Sequence, residues 1–148
     1  MKLTLSWLCE HLDTDADIKV IESTLTNIGL EVESIEDRTD ELQPFTVAKV
    51  INVSKHPNAD RLKVCDVETI KGTFQVVCGA PNAKTGMLGV FAPENTYIPG
   101  TKIKLKKSRI RGVESCGMLV SEREMGLSDE HEGIIEINKK YKVGDSFS

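Results

Sequence analysis

The sequence predicts a mainly β protein: a five-stranded OB-fold barrel with Greek-key order, preceded by a small α+β segment. Two observations support the barrel. Five or six short runs rich in Val, Ile and Leu recur after residue 44, and turn sequences such as H-P-N-A-D separate most of them. An SH3-like barrel or a small sandwich is the next alternative. The runs are Phe45–Val53, Leu62–Val67, Thr73–Val77, Met87–Phe91, Thr101–Leu105 and Ile134–Ile137.

Residues 1–40 have a helical pattern instead. Apolar residues three and four apart predict a helix that ends at Gly29, and Ser6 is placed to cap a shorter helix before it. Leu3–Leu5 and Leu30–Val32 alternate with polar residues and are predicted strands. Because so short a segment makes a thin core, we expect it to belong to a larger domain. We therefore divide the chain into residues 1–40 and 41–148. The helical stripe is Ile18, Ile21, Leu25 and Ile28.

Charge divides the chain at nearly the same place. Residues 1–43 hold three basic and eleven acidic side chains, whereas residues 44–148 hold sixteen and twelve, which suggests two units, one of them facing a polyanion. A composition of 39% hydrophobic and 28% charged residues argues against disorder and coiled coil. No apolar run is long enough for a membrane helix, and the N-terminus does not resemble a signal peptide, so we expect a cytoplasmic protein whose four cysteines are buried free thiols.

The strongest functional pattern is the basic segment, Thr101–Arg111, with six basic residues in eleven and no acidic one. Apolar and basic residues alternate in its first part, so Ile103 and Leu105 are expected to be buried beneath an open basic face. Such a face suits phosphate groups. A solvated edge strand that lysines protect from aggregation is the alternative. The candidate contacts are Lys102, Lys104, Lys106, Lys107, Arg109 and Arg111.

Other motifs carry less chemistry. His56–Asp60 is a polar turn that is either structural or the rim of a binding groove. No histidine is spaced to activate Cys78, and no phosphate loop or tight metal-ligand pair occurs, so no catalytic residue, metal site or cofactor is predicted for this chain. Aromatic residues are few, which favours contacts with the backbone and shape of folded RNA over base stacking.

Ordered motifs then suggest a family. L-S-W-L at 5–8 and N-I-G-L-E-V-E-S-I at 27–35 resemble the start of the bacterial phenylalanine–tRNA ligase β subunit. Four further motifs resemble its inserted tRNA-binding OB domain, which is also similar to free-standing tRNA-binding proteins. They are H-P-N-A-D-R-L-K-V-C at 56–65, V-V-C-G-A-P-N at 76–82, I-R-G-V-E-S-C-G-M-L at 110–119 and S-E-R-E-M-G-L at 121–127.

The resemblance implies an α2β2 enzyme that joins phenylalanine to tRNA with ATP and magnesium. Catalysis belongs to the α subunit, so this chain alone is expected to be non-catalytic, with tRNA, the α subunit and the rest of the β chain as partners and no membrane. Residues 1–40 would be the first part of a small α+β domain that the OB domain, residues 41–148, interrupts. One departure is local: N-K-K-Y-K-V-G-D at 138–145 is more basic than the family's version.

Further candidate tRNA contacts follow from the matched motifs by position: His56, Asn58, Arg61, Asn82 and Ser115. The expected function is non-catalytic, largely sequence-independent affinity for tRNA. Two alternatives stay open. One is a structural or interaction domain of the synthetase with little tRNA contact, and the other is a free-standing tRNA-binding protein.

Overall fold

The computed structural model describes residues 1–147, which divide into two compact units, Met1–Asp37 and a second that begins at Arg38. The first unit holds α1 (Leu5–His11) and α2 (Ile18–Asn27). The second begins with α3 (Thr39–Leu42) and continues as β1 (Thr46–His56), β2 (Ala59–Thr69), β3 (Gly72–Cys78), β4 (Leu88–Ala92), β5 (Tyr97–Ile98), β6 (Ile103–Lys104), β7 (Ser108–Ile110), β8 (Val113–Ser115), β9 (Met118–Leu119) and β10 (Glu136–Ile137). Among these residues no helix has the length and apolar character needed to cross a bilayer.

Helix α1 begins at a threonine cap. The hydroxyl oxygen of Thr4 accepts the backbone N–H of Trp7 at 3.2 Å. Two expectations for this region are therefore wrong: the cap is not Ser6, and Leu3–Leu5 is not a strand. A cap at Thr4 places Leu5 in the first helical turn.

Helix α2 is capped by Asp17 at its N-terminus and is ended by Gly29. The Asp17 carboxylate accepts the N–H of Lys19 at 2.8 Å. Gly29, with φ +93°, ends the helix as predicted, and its N–H and that of Leu30 bond to the last helical turn in a Schellman motif. The strand predicted at Leu30–Val32 is wrong, because in the described chain no neighbouring strand pairs with it.

The first unit has no core of its own. None of the residues in Met1–Asp37 is buried. Its largest apolar side chains stay in contact with water; Trp7, for example, is 52% exposed. The expectation of a thin core in this segment agrees with that burial.

The second unit is an antiparallel sheet with two added ribbons. The main sheet runs β10-β4-β1-β2-β3, with β9 also paired to β4. The ribbons β5–β6 and β7–β8 pair separately. The predicted mainly β architecture is confirmed, but the main sheet has six strands, and over residues 1–147 its end strands β10 and β3 do not pair to close a barrel.

Long and short strands differ in how well the sequence located them. The strand predicted at Phe45–Val53 forms and extends to His56. The strand predicted at Thr101–Leu105 is reduced to Ile103–Lys104 and lies in a ribbon outside the main sheet. Lys102 has φ +57°, a turn conformation, so the strand cannot begin before Ile103.

The core lies on the two sides of strands β1 and β4. One cluster holds Val50, Val67 and Phe91 among others, with Phe91 stacked on Phe74 at a centroid distance of 5.7 Å. A second cluster surrounds Phe45 and Met125. Every buried residue of the described chain lies after residue 44, so the fold of the second unit rests on its own side chains.

A chain that begins at Arg38 is therefore expected to unfold in one cooperative transition. A chain that begins at Pro44 should be at least about 2 kcal/mol less stable, because it loses two hydrogen bonds from the Arg38 guanidinium, to the carbonyl oxygens of Met125 (2.6 Å) and Gly126 (3.1 Å). It also loses Leu42, which packs against the Phe45 cluster and accepts the buried N–H of Phe45 at 3.0 Å. Calorimetric melts of both chains measure the difference. A cooperative transition in a peptide of residues 1–37 would contradict the burial argument.

Candidate nucleic-acid interface

All six basic side chains of the basic segment are exposed, and only its apolar residues Leu105 and Ile110 are half-buried. It does not form one strand: it follows β6, a short connection, and then β7 to its turn. Leu105 packs against the Phe45 cluster but is only half-buried, so its expected burial is met in part. Ile103 is 62% exposed, so the expectation that it is buried is wrong. Its ribbon is only two strands wide and gives it no sheet face to pack against.

Two turns meet at the end of the basic segment. His56 Nε2 lies 2.8 Å from the carbonyl oxygen of Ile110, and Asn58 Nδ2 donates to the carbonyl oxygen of Arg111 at 3.0 Å. The turn between β1 and β2 is thereby joined to the turn between β7 and β8. Of the residues predicted from sequence, the structure brings His56, Asn58 and Arg111 together here.

One of the six basic charges is already compensated. Lys107 forms an ion pair with Glu114 on the neighbouring strand β8. The hydrogen bond between them raises the pKa of Lys107 and lowers the pKa of Glu114, which also accepts from the Cys116 thiol. Arg109 lies directly opposite Glu114 in the β7–β8 register. The uncompensated positive charge of the basic segment is therefore carried by its other five basic side chains.

Arg61 and Asn82 lie in different surroundings. Arg61 is exposed on β2, just after the turn that joins the basic segment. Asn82 instead holds a loop, since its amide bonds both to the N–H of Ile134 (3.0 Å) and to the carbonyl oxygen of Ile134 (2.8 Å). Asn82 also lines a groove of about 410 Å³ together with Glu122 and Glu130. Negative charge in that groove disfavours a phosphate there.

Ser115, the last residue of β8, is buried. Its hydroxyl accepts the N–H of Val77 and donates to the carbonyl oxygen of Gly117, both at 3.1 Å. The hairpin is further joined to β3 by the Gln75 side chain, which donates to the carbonyl oxygen of Glu114 at 2.8 Å. Ser115 thus fixes the hairpin on the sheet.

Tyr97 is an exposed aromatic that the sequence reasoning passed over. It is 49% exposed and lies opposite Lys104 in the β5–β6 register. An aromatic ring beside a lysine can stack on an unpaired base while the ammonium group binds the adjacent phosphate. The only sequence signal was an aromatic shortly before the basic segment, which by itself does not distinguish a core tyrosine from an exposed one.

The cysteines are free thiols, and two of them are buried as expected. Cys9 is exposed and Cys116 is half-buried, so the expected burial is wrong for Cys9 and met only in part for Cys116. A hydrogen bond from the Cys65 thiol lowers the pKa of Cys78 to about 7, against the effect of burial. The same hydrogen bond, together with burial, raises the pKa of Cys65. Burial raises the pKa of the Cys116 thiol, and its hydrogen bond to Glu114 raises it further.

Within residues 1–147 no group of His, Cys, Asp and Glu has a geometry that could hold a metal ion.

Comparison with known proteins identifies the family. A family model described as a putative tRNA binding domain matches residues 45–146, and the chain belongs to that family. Phenylalanine–tRNA ligase β subunits match the whole chain and confirm the resemblance drawn from the motifs. The subunit from Mesorhizobium japonicum is 53% identical over 150 residues, covering 100% of this chain and 19% of that protein. The one from Ruegeria pomeroyi is 54% identical over 147 residues, covering 99% and 18%.

The chain thus spans about a fifth of the length of the curated relatives it matches. Among solved structures, a methionyl-tRNA synthetase-related protein from Pyrococcus horikoshii is similar with a TM-score of 0.54 and 19% identity. The similarity covers 78% of this chain and 99% of that one. At this identity the similarity establishes a shared fold.

Ser115→Ala is expected to destabilise the protein by about 1–3 kcal/mol, because it leaves the buried N–H of Val77 without its partner. Ser108→Ala is the matched control: Ser108 is exposed and lies directly opposite Ser115 in the same hairpin, so its stability should change by less than about 0.5 kcal/mol. Urea unfolding measures both. Equal effects of the two substitutions would contradict the role assigned to Ser115.

Proposed function

We propose that this chain is a tRNA-binding part of a phenylalanine–tRNA ligase β subunit. Its exposed basic segment contacts RNA phosphates. The proposal is supported by membership of the tRNA-binding family and by identity to the β subunits over the full chain. Because the chain spans about a fifth of its relatives' length, the activity of the whole ligase would belong to a larger assembly. This chain would contribute tRNA binding to it.

The single observation that carries the proposal is the charge of the basic segment. The protein has a net charge of −4, yet between residues 101 and 111 it exposes six basic side chains and no acidic one. Phosphate contacts by lysine and arginine supply most of the sequence-independent affinity for nucleic acid. We propose that the contacts are made by Lys102, Lys104, Lys106, Arg109, Arg111 and Arg61, with a weaker part for Lys107. His56, Asn58 and Ser115 would instead hold the β7–β8 hairpin through hydrogen bonds within the protein, and Asn82 would hold the loop at Ile134.

Binding of this kind recruits tRNA without selecting it. Phosphates carry no sequence information, so cognate and non-cognate tRNA would bind with similar affinity. The positive segment would raise the local concentration of tRNA and speed the encounter. Tyr97, opposite Lys104, would add a stacking contact wherever a base is unpaired. Specificity would be left to other parts of the ligase.

The finer architecture follows the same proposal. Residues 41–148 would be an OB-type domain, a view supported by the antiparallel sheet. Residues 1–40 would be the first part of a small α+β domain completed elsewhere in the β chain. The α subunit would be the partner in an α2β2 enzyme, with ATP and magnesium used at its catalytic site, in the cytoplasm.

One observation favours a second candidate function, an interaction domain of the synthetase. The first unit leaves large apolar side chains in water, including Ile28 at 67% exposure and Leu30 at 60%. Exposed apolar patches mark protein interfaces. This candidate concerns the first unit and is compatible with RNA binding by the second. A free-standing tRNA-binding protein is the remaining alternative, and the length of the natural reading frame tests it.

Lys104→Glu with Lys106→Glu is expected to weaken binding of cognate and non-cognate tRNA equally. If about four of the uncompensated basic residues reach phosphates, the logarithm of affinity should fall against the logarithm of salt with a slope of roughly −3 to −4, and the double variant should have a shallower slope. Because both lysines are exposed, the melting temperature should stay within about 3 °C. Filter binding at three salt concentrations measures the slope.

Glu114→Gln is the control in the opposite direction. It frees Lys107 from its ion pair, so tRNA affinity should rise and the salt slope should steepen by up to about 0.9. If the lysines instead protect a strand edge, Lys104→Gln with Lys106→Gln would leave tRNA affinity unchanged and increase light scattering. Unaltered affinity in the charge-reversed variant would remove the basic segment from the proposed function.

A further inference from the structure

The turn between β7 and β8 has an unusual residue at its tip. Ile110 pairs with Val113, so the turn has two central residues, Arg111 with φ +49° and Gly112 with φ +87°. Both values are left-handed, which defines a type I′ turn. Gly and Asn adopt this conformation readily, whereas arginine adopts it at a cost. The first central position of this turn is thus occupied by Arg111, a residue of the basic segment that does not favour the left-handed conformation.

Two hydrogen bonds from outside the hairpin hold this conformation. The carbonyl oxygen of Ile110 has no proton to give, so His56 Nε2 carries the proton and donates to it at 2.8 Å. The carbonyl oxygen of Arg111 accepts from Asn58 Nδ2 at 3.0 Å. Both consecutive carbonyl groups at the tip are therefore fixed by the turn between β1 and β2.

His56 in turn fixes Asn58. Because Nε2 of His56 is the donor, its Nδ1 is free to accept, and it accepts the backbone N–H of Asn58 at 3.0 Å. His56 is only 4% exposed, and both of its ring nitrogens are engaged within the protein. His56 is thus shielded from RNA, whereas Asn58 is exposed next to Arg111.

We propose that Asn58, held by His56, is a positioning residue for Arg111. It keeps the hairpin tip in the left-handed conformation that presents the Arg111 guanidinium to an RNA phosphate. This inference rests on the proposed function, in which Arg111 contacts RNA. The backbone of Arg111 is used to hold the turn, and its exposed side chain remains available for the phosphate.

A double-mutant cycle on the full chain tests this inference. Asn58→Ala removes the donor to Arg111, and because Asn58 is exposed, the substitution leaves the core intact. Arg111→Asn removes the guanidinium and places at the tip a residue that adopts the turn unaided. Asn58→Ala should weaken tRNA binding about threefold to tenfold when Arg111 is present and less than about twofold in the Arg111→Asn background.

The salt slope separates positioning from a structural effect. In the Arg111 background, Asn58→Ala should make the slope shallower by about 0.7 to 0.9, which is the loss of one phosphate contact. A purely structural role would leave the slope unchanged at temperatures where both chains are folded. An equal loss of affinity in both backgrounds would overturn the inference, because Asn58 would then contact RNA directly.

Thermal melts of the same four chains separate this inference from the proposed function. Asn58→Ala should lower the melting temperature by about 2–4 °C with Arg111 present, and by less with Arg111→Asn. If the melts are coupled in this way but Arg111→Asn binds tRNA as tightly as the parent chain, the proposed contact fails while the support of the turn stands. Uncoupled melts would overturn the support itself.

Discussion

Strand β1 is the element on which the rest of the protein depends. It pairs with β2 along one edge and with β4 along the other, and Val47, Ala48 and Val50, on its two faces, are almost fully buried. Its last residue, His56, is also buried and bonds to the hairpin that carries the end of the basic segment. One strand therefore links the hydrophobic core to the candidate RNA-binding surface.

This arrangement separates stability from charge. The buried apolar residues lie on the sheet strands and the loops that cover them, whereas the basic side chains of residues 102–111 are exposed. Stability is therefore set by burial, and affinity for a polyanion by side chains that contribute little to the core. The two are connected at a few buried polar groups, of which Ser115 and His56 are the clearest. Acidic residues line the groove beside Asn82, and the pairing of Glu114 with Lys107 limits the positive charge of the basic segment.

Long elements were predictable from the sequence, whereas several of the shortest were not. Strands such as β1 contain several apolar residues between clear turn residues, and the Gly29 stop after a regular helical stripe depends on local conformation alone. The β7–β8 hairpin was missed because its strands have three residues each and because its type I′ turn contains arginine where asparagine would have been the signal. The exposure of Ile103 depends on a turn at Lys102 and on a ribbon of only two strands, neither of which alternation reveals.

The candidate site followed the same rule. Composition alone located the basic segment, since six basic residues without an acidic one stand out in an acidic protein. The contact between the two turns joins residues more than fifty positions apart, and no local pattern predicts it. The same holds for Asn82 and Ser115, whose polar groups are used within the fold. Motif resemblance marked these positions without separating surface contacts from internal supports.

The central claim, that the exposed basic segment Thr101–Arg111 contacts RNA, is tested most directly by amide chemical-shift mapping during a titration of the isotope-labelled chain with unlabelled tRNA. The account predicts shifts concentrated in β5 to the β7–β8 turn and in the neighbouring turn at His56–Ala59, diminishing together as salt is raised. Shifts centred on the acidic groove around Asn82, or a titration that leaves the basic segment unchanged, would contradict it.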